Sequence, residues 1–172
     1  MKIIRYADLK TNDITNGEGV CVSFWTQGCP FHCHGCHNPE TWDFNGGIEE
    51  DLSTITNKIL NAISDNGIKR NFSILGGEPL CDENIQLVLY ILEKVRYKYP
   101  DIKIFLWTGY TKNELFFNDL SINKLEDELR KKCIEYVDTL ITGRYKEDKR
   151  DITLKLRGST NQEILLVKEI YK

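Results

Sequence analysis

Three cysteines fall within eight residues, Cys29-Pro-Phe-His-Cys33-His-Gly-Cys36, and their C-x3-C-x2-C spacing offers three thiols from one short loop. Thiolates are soft ligands that suit zinc and iron–sulfur clusters. A structural zinc site takes four protein ligands and closes itself off. A cubane cluster takes one thiolate per iron, so three thiolates with no obvious fourth would leave one iron open to a second, reacting molecule. Two other chemistries compete. His32, His34 and His37, all of the chain's histidines, crowd the same loop and could complete a Cys3His zinc site. Six cysteines also permit disulfides, although such staples belong mainly to small secreted chains. The spacing favours a cluster over zinc, and zinc over disulfides. Cys21, Cys81 and Cys133 stand singly in apolar surroundings and read as small buried hydrophobes.

The elements that must position this loop alternate. Residues Val20 to Trp25 form a β-branched and aromatic run that reads as a first strand and empties into the cysteines. After Asn45-Gly46-Gly47, apolar positions Leu52, Ile55, Ile59 and Ile63 predict a helix from about Glu49 to Ser64. Phe72 to Leu75 reads as a second strand, and a helix from about Glu83 to Tyr99 follows, stopped by Pro100. Ile102 to Trp107 is a third strand, Ile122 to Tyr136 a helical stretch, and Thr139 to Thr142 a fourth strand; the apolar Ile164 to Val167 would add one more. Such alternation predicts an α/β fold with a parallel sheet and right-handed crossovers, in one domain over residues 1–172.

Ligands of parallel α/β sheets sit at the carboxyl ends of the strands. Each strand read here ends in a segment that could serve: the cysteine loop, Gly76-Gly77-Glu78-Pro79, Thr108-Gly109 and Gly143-Arg144. Glycine pairs let a backbone approach a ligand closely, and Glu78 adds a carboxylate. A plain strand-to-helix turn is the simpler explanation of Gly-Gly taken alone.

Composition narrows the classes. With 41 % hydrophobic and 28 % charged residues, 172 residues can build a real core. A net charge of −3 leaves no electrostatic footprint for nucleic acid. No apolar run approaches the ~20 residues of a membrane span, and Met1-Lys-Ile-Ile-Arg-Tyr-Ala-Asp lacks the apolar core of a signal peptide. A cytoplasmic, reducing setting is therefore expected, where thiols stay free to hold metal.

The C-x3-C-x2-C loop after one strand, with Gly-Gly-Glu-Pro after the next, resembles the radical S-adenosylmethionine (SAM) superfamily. Asn16-Gly-Glu-Gly-Val20, Gly35-Cys-His-Asn-Pro-Glu-Thr-Trp42, Trp107-Thr-Gly-Tyr110, Val137-Asp-Thr-Leu-Ile-Thr-Gly-Arg144 and Arg157-Gly-Ser-Thr-Asn-Gln162 narrow it. In that order they resemble the family of anaerobic ribonucleoside-triphosphate reductase activating proteins over nearly the whole chain. Cys21 and Thr142 depart from it, standing where Arg and Asp would be expected.

The resemblance implies a partial, open parallel β/α barrel. It implies a 4Fe-4S cluster on Cys29, Cys33 and Cys36, which act through it, and S-adenosyl-L-methionine on the fourth iron. Gly76, Gly77 and Glu78 would line the SAM methionine, Glu78 near its ammonium, and the backbone of Gly35, Cys36 and His37 would pass the adenine. Thr108 and Asp138 would be ribose-side or strand-end contacts. The implied partners are the large subunit of an anaerobic ribonucleoside-triphosphate reductase, a glycyl radical protein, and a flavodoxin- or ferredoxin-like electron donor. Neither nucleic acid nor membrane is implied. A full eight-unit barrel takes about 200 residues or more, so this chain would leave a broad mouth, suited to a protein loop as substrate. The polar Arg157 to Gln162 run would help shape that mouth through side-chain amides and hydroxyls. The alternatives are a small radical SAM enzyme on a small molecule, like a 7-carboxy-7-deazaguanine synthase, and a zinc-stabilised binding module.

Overall fold

The computed structural model describes residues 2–117 and 124–170. Among them, seven strands form one open sheet: β1 (Ile3–Asp13), β2 (Cys21–Thr26), β3 (Ile48–Asp51), β4 (Asn71–Gly76), β5 (Ile104–Thr108), β6 (Thr139–Thr142) and β7 (Glu163–Leu166). Their order is β3-β1-β2-β4-β5-β6-β7. The helices are α1 (Leu52–Ile63), α2 (Ile85–Lys98), α3 (Lys112–Phe117), α4 (Lys124–Glu135) and α5 (Val167–Ile170).

The expected parallel core is present in β2, β4, β5 and β6. An all-parallel sheet is not: β1 pairs antiparallel with both β2 and β3, and β7 pairs antiparallel with β6. The run expected to be the first strand is the second. Strand β1 lacks an apolar run because it buries one face only, with Ile4 and Tyr6 inward and Arg5, Asp8 and Lys10 less covered. Residues Ile48–Asp51, whose last three were expected to open a helix, pair with β1 instead. Asp51 then caps α1, its carboxylate accepting from the Ser53 and Thr54 N–H groups. Helix α3 was not expected, and Ile122, expected to start the next helix, lies outside the described residues.

One face of the sheet packs Val22, Phe24, Phe72, Ile74, Ile104, Leu106 and Leu140 under α1, α2 and α4. The spacing of Leu52, Ile55, Ile59 and Ile63 turns all four into that core. The opposite face is covered near its foot by the β1–β2 loop. There Gly17, at φ +139°, lies against Cys21, Ser73 and Phe105, where a Cβ would crowd their side chains. Asp13 shapes the loop: burial opposes its charge, yet hydrogen bonds from Asn16 and Thr15 hold its carboxyl well below the usual range. Among the described residues no helix is long and apolar enough to cross a membrane.

Candidate metal and cofactor site

The carboxyl ends of β2, β4, β5 and β6 converge on a cleft of about 470 Å³. Cys29, Cys33, Cys36, His37, Gly76, Gly77, Glu78, Thr108, Gly109, Gly143 and Arg144 all border it. Convergence follows from parallel pairing, because strands that run the same way deliver their exits to the same edge.

The cysteine loop is held from both sides. The Gly28 and Cys29 N–H groups donate to the Thr41 and Trp42 carbonyls at 2.8 and 3.1 Å, closing the loop on itself. Buried Gln27 donates to the Glu40 and Asp43 carbonyls at 3.0 and 2.7 Å. Asn84, also buried, reaches the carbonyls of Gln27, Gly28 and Glu78 at 3.1, 3.3 and 3.0 Å, tying the cysteine loop to the glycine turn. All three loop cysteines are free thiols. Burial pushes the Cys29 thiol up to about 11, and burial together with the neighbouring Cys36 raises Cys33. Loading such thiols with metal must therefore release protons.

The glycine turn fits against this loop without spare room. The Gly77 and Glu78 N–H groups donate to the Thr26 and Gly28 carbonyls, each at 2.9 Å. A Cβ at Gly77 would overlap the Gly28 carbonyl oxygen and approach that of Thr41 to 3.1 Å. Backbone cannot swing aside as a side chain can, so Gly77→Ala is expected to cost about 1–3 kcal/mol by overpacking. It should also pry the turn off the cysteine loop and weaken cofactor binding at least tenfold. Urea unfolding and ligand titration check it; wild-type values in both would show that the turn has slack.

Glu78 is 1 % exposed. Its Oε1 accepts from the Leu80 N–H at 2.9 Å and the Thr108 hydroxyl at 2.7 Å, and its Oε2 from the Gly109 N–H at 2.6 Å. The carboxyl thus bolts the exit of β4 to that of β5, with Thr108 as partner. Burial outweighs these donors and pushes Glu78 up to about 7. The folded value lies above the ordinary 4.5, so the associated stability is full below pH 4.5 and is lost as pH rises through 7. Relative to Glu78→Gln, the wild-type chain should lose about 3 kcal/mol over that window. Denaturant midpoints at several pH values measure it, and a pH-independent difference would refute the burial penalty.

Further residues, beyond those expected to hold the cluster or a cofactor, complete the site. Trp25, Leu75, Trp107, Leu154 and Leu156 wall the cleft, with Asn16 from the β1–β2 loop beside them. The Arg144 guanidinium lies 4.1 Å from the centroid of the Phe31 ring and pairs with both oxygens of Glu114 at 3.0 and 2.9 Å. Phe31 meets Tyr110 edge-on at 4.9 Å. The signal for the walls was alternation: Trp25, Leu75 and Trp107 each precede the last residue of a parallel strand.

Two expected contacts sit elsewhere. Asp138 lies at the amino end of β6, where its carboxylate accepts from the Ile104 N–H at 2.8 Å and from Arg96 at 2.8 Å. It splices strand feet, because a residue before a parallel strand belongs to the edge opposite the ligands. Gly35, at φ +73°, abuts the Glu147 carboxylate beside the cleft and does not border it. Cys21 packs at the foot of β2 and Thr142 is buried at the end of β6. Arg157, Gly158 and Gln162 of the expected polar run do border the cleft; the Gln162 amide is spent internally, its Oε1 accepting from the Gly158 and Ser159 N–H groups and its Nε2 donating to the Gly143 carbonyl, while Asn161 Oδ1 is buried with no hydrogen-bond partner.

The donor set decides which metal group suits the site. Among the described residues no three His, Cys, Asp or Glu side chains gather as a single ion requires. His32 stacks on Trp42 at 4.7 Å and His37 meets Tyr145 edge-on at 5.2 Å. Three thiols bordering one cleft fit a multi-iron cluster, which takes each thiolate on a different iron.

Comparison with known proteins agrees. A family model described as a 4Fe-4S single cluster domain matches residues 15–165. The chain is 35 % identical to the anaerobic ribonucleoside-triphosphate reductase-activating protein of Pasteurella multocida, over 94 % of this chain and 96 % of that one. Identity to the protein of that name from Haemophilus influenzae is 32 %, over 94 % and 97 %. For the one from Escherichia coli K12 it is 31 %, over 88 % and 92 %.

Proposed function

Since the chain belongs to the family of anaerobic ribonucleoside-triphosphate reductase-activating proteins, we propose that it is a radical SAM activase acting on a glycine of such a reductase. The supporting observation is one cleft, at the carboxyl edge of a parallel sheet, bordered by three free thiols and by Gly76-Gly77-Glu78. The open sheet, with helices on one face, would then be a partial barrel of the radical SAM type.

Cys29, Cys33 and Cys36 would hold a 4Fe-4S cluster and leave one iron for SAM. Bound there, the pair would supply reductive one-electron cleavage of the sulfonium, with methionine as leaving group, and so the means of taking a hydrogen atom from a reductase glycine. The protein's own part is binding and exclusion. Gly76 and Gly77 let the backbone approach the methionine end without a Cβ in the way. Burial pushes Glu78 up to about 7, so near neutral pH the ligand-free cleft holds it only partly ionised, and an arriving ammonium would favour the charged form through a charge-assisted contact. The Thr108 hydroxyl, already on Glu78 Oε1, fixes the carboxyl's orientation. Cys36 and His37 border the cleft and would pass an adenine, while Trp25, Leu75 and Trp107, also on its wall, would keep water from the reacting centre. A flavodoxin- or ferredoxin-like donor in a reducing cytoplasm would supply the electron.

Anaerobic reconstitution tests this directly. The expected results are close to four irons per chain, 5′-deoxyadenosine on reduction with SAM, and a glycyl radical signal in the reductase by electron paramagnetic resonance. Colourless protein carrying stoichiometric zinc, or reduced protein that leaves SAM intact, would overturn it.

A further inference from the structure

Between β6 and β7 the chain leaves the sheet as a lobe, residues 145–157, that comes back against the cysteine loop. Its first turn is Glu147–Lys149, closed by the Arg150 N–H on the Glu147 carbonyl at 3.1 Å. The lobe is tied down on both sides of that turn. The Lys146 N–H donates to Ser159 Oγ at 3.3 Å, the Thr160 N–H to the Lys149 carbonyl at 2.9 Å, and the Trp107 indole N–H to the Leu156 carbonyl at 2.7 Å. Glu147 is therefore carried on fixed backbone.

Its carboxylate sits on the tip of the cysteine loop. The Cys36 N–H donates to the Cys33 carbonyl at 3.0 Å, making a tight turn with Gly35 at φ +73°. A Cβ on Gly35 would lie 2.2 Å from Glu147 Oε2, so the carboxylate fills the space that any other side chain at this position would take. The Tyr145 hydroxyl donates to the same oxygen at 2.6 Å, and the Tyr145 ring meets His37 edge-on at 5.2 Å. Among the described residues no lysine or arginine pairs with Glu147. Metal loading turns the neighbouring thiols into thiolates, and one more negative charge beside them does nothing for stability. A glutamine would fill the same notch and accept from the same hydroxyl.

We propose that Glu147 sets the reduction potential of the site: its carboxylate, held by Tyr145 in the notch of Gly35, makes a cluster on Cys29, Cys33 and Cys36 a stronger reductant. The proposal rests on the activase function above. Reduction brings one electron from the donor onto the cluster, with no bond made or broken, and so adds one negative charge. Gly35 adjoins Cys36 in the chain, and neighbouring Cα atoms are about 3.8 Å apart, which puts the carboxylate within about 8 Å of the Cys36 Cα. That is no more than the screening length of roughly 8 Å at physiological salt. A fixed negative charge at this range opposes the incoming electron, and local charge is one of the levers on cluster potential. A low potential is what reductive cleavage of a sulfonium demands.

The test is a dye-mediated redox titration of the anaerobically reconstituted full-length chain without SAM or reductase, followed by electron paramagnetic resonance of the reduced cluster. Glu147→Gln should move the midpoint upward, raising the reduced-to-oxidised ratio at a fixed potential about threefold or more, and added salt should shrink the shift. Tyr145→Phe, which keeps the ring and frees the carboxylate, should move the midpoint the same way by less. Asp151→Asn makes the same charge change on the lobe, at a residue that holds Thr153 and not the cysteine loop, and should leave the midpoint in place. An unchanged midpoint in Glu147→Gln at full iron content would overturn the proposal. So would an equal shift in Asp151→Asn, which would trace the effect to the net charge of the lobe. Wild-type protein that takes up zinc in place of iron would overturn the activase function and this proposal with it, and iron analysis reveals that before any titration.

Discussion

Replacing Cys29, Cys33 or Cys36 singly with Ala is expected to bring SAM cleavage and reductase activation to background and to lower bound iron. Each thiol borders the cleft, whereas His32 stacks on Trp42 and His37, on the cleft wall, is engaged edge-on with Tyr145. A cubane held by two thiolates loses the rigid placement that electron transfer to one bound molecule requires. Cys81→Ala and Cys133→Ala should behave differently. Their residues are 2 % and 0 % exposed, burial pushes both thiols far up, and the Cys133 thiol faces the Ile85 carbonyl inside the helical core. Each should cost about 1 kcal/mol of packing and keep its iron. Iron analysis, the visible absorption of the anaerobic protein and 5′-deoxyadenosine yield read all five variants. Full iron in a loop variant, or loss of iron in a folded Cys81 variant, would mean that the ligands are misassigned.

The largest stability effect is expected at Arg130. Its side chain is 3 % exposed, and its guanidinium serves three partners. Nε donates to the Leu80 carbonyl at 2.9 Å, Nη1 to Asp127 at 2.6 Å, and Nη2 pairs with Asp82. It also lies 5.4 Å from the Tyr110 ring centroid. Arg130 thereby anchors α4 to the turn that follows Glu78-Pro79. Arg130→Ala deprives the mostly buried Asp127 of its cation and leaves the Leu80 carbonyl unmet, so about 3–5 kcal/mol should be lost. Arg130→Met, which restores volume without charge, should recover part of that. Urea unfolding of the anaerobic protein measures both. A loss under about 1 kcal/mol would show that the ion pairs behave as exposed ones do.

Much of the site was legible because its chemistry is local in sequence. Three thiols within eight residues remain together in whatever turn the chain makes, so Cys29, Cys33 and Cys36 needed no fold to be grouped. The Gly-Gly-Glu-Pro turn and the alternation of β4, α2 and β5 are local as well, each set by hydrophobic period and by punctuating Gly or Pro. Parallel pairing then carried the strand exits to one edge.

Only the tertiary structure decided the rest, wherever a residue's role is set by partners far along the chain. Glu78 meets the Thr108 hydroxyl and the Gly109 N–H about thirty positions away. Asn84 looks like an ordinary helix start, yet its amide ties two loops together. Asp138 seemed a strand-end contact, and a single fact of direction put it at the opposite edge. The antiparallel strands β1 and β3 escaped notice because they bury one face or none and carry little apolar signal, whereas the run at β7 read as a strand and only its antiparallel direction was missed. Local sequence fixes which atoms can react; long-range packing fixes which of them lose water and face one another.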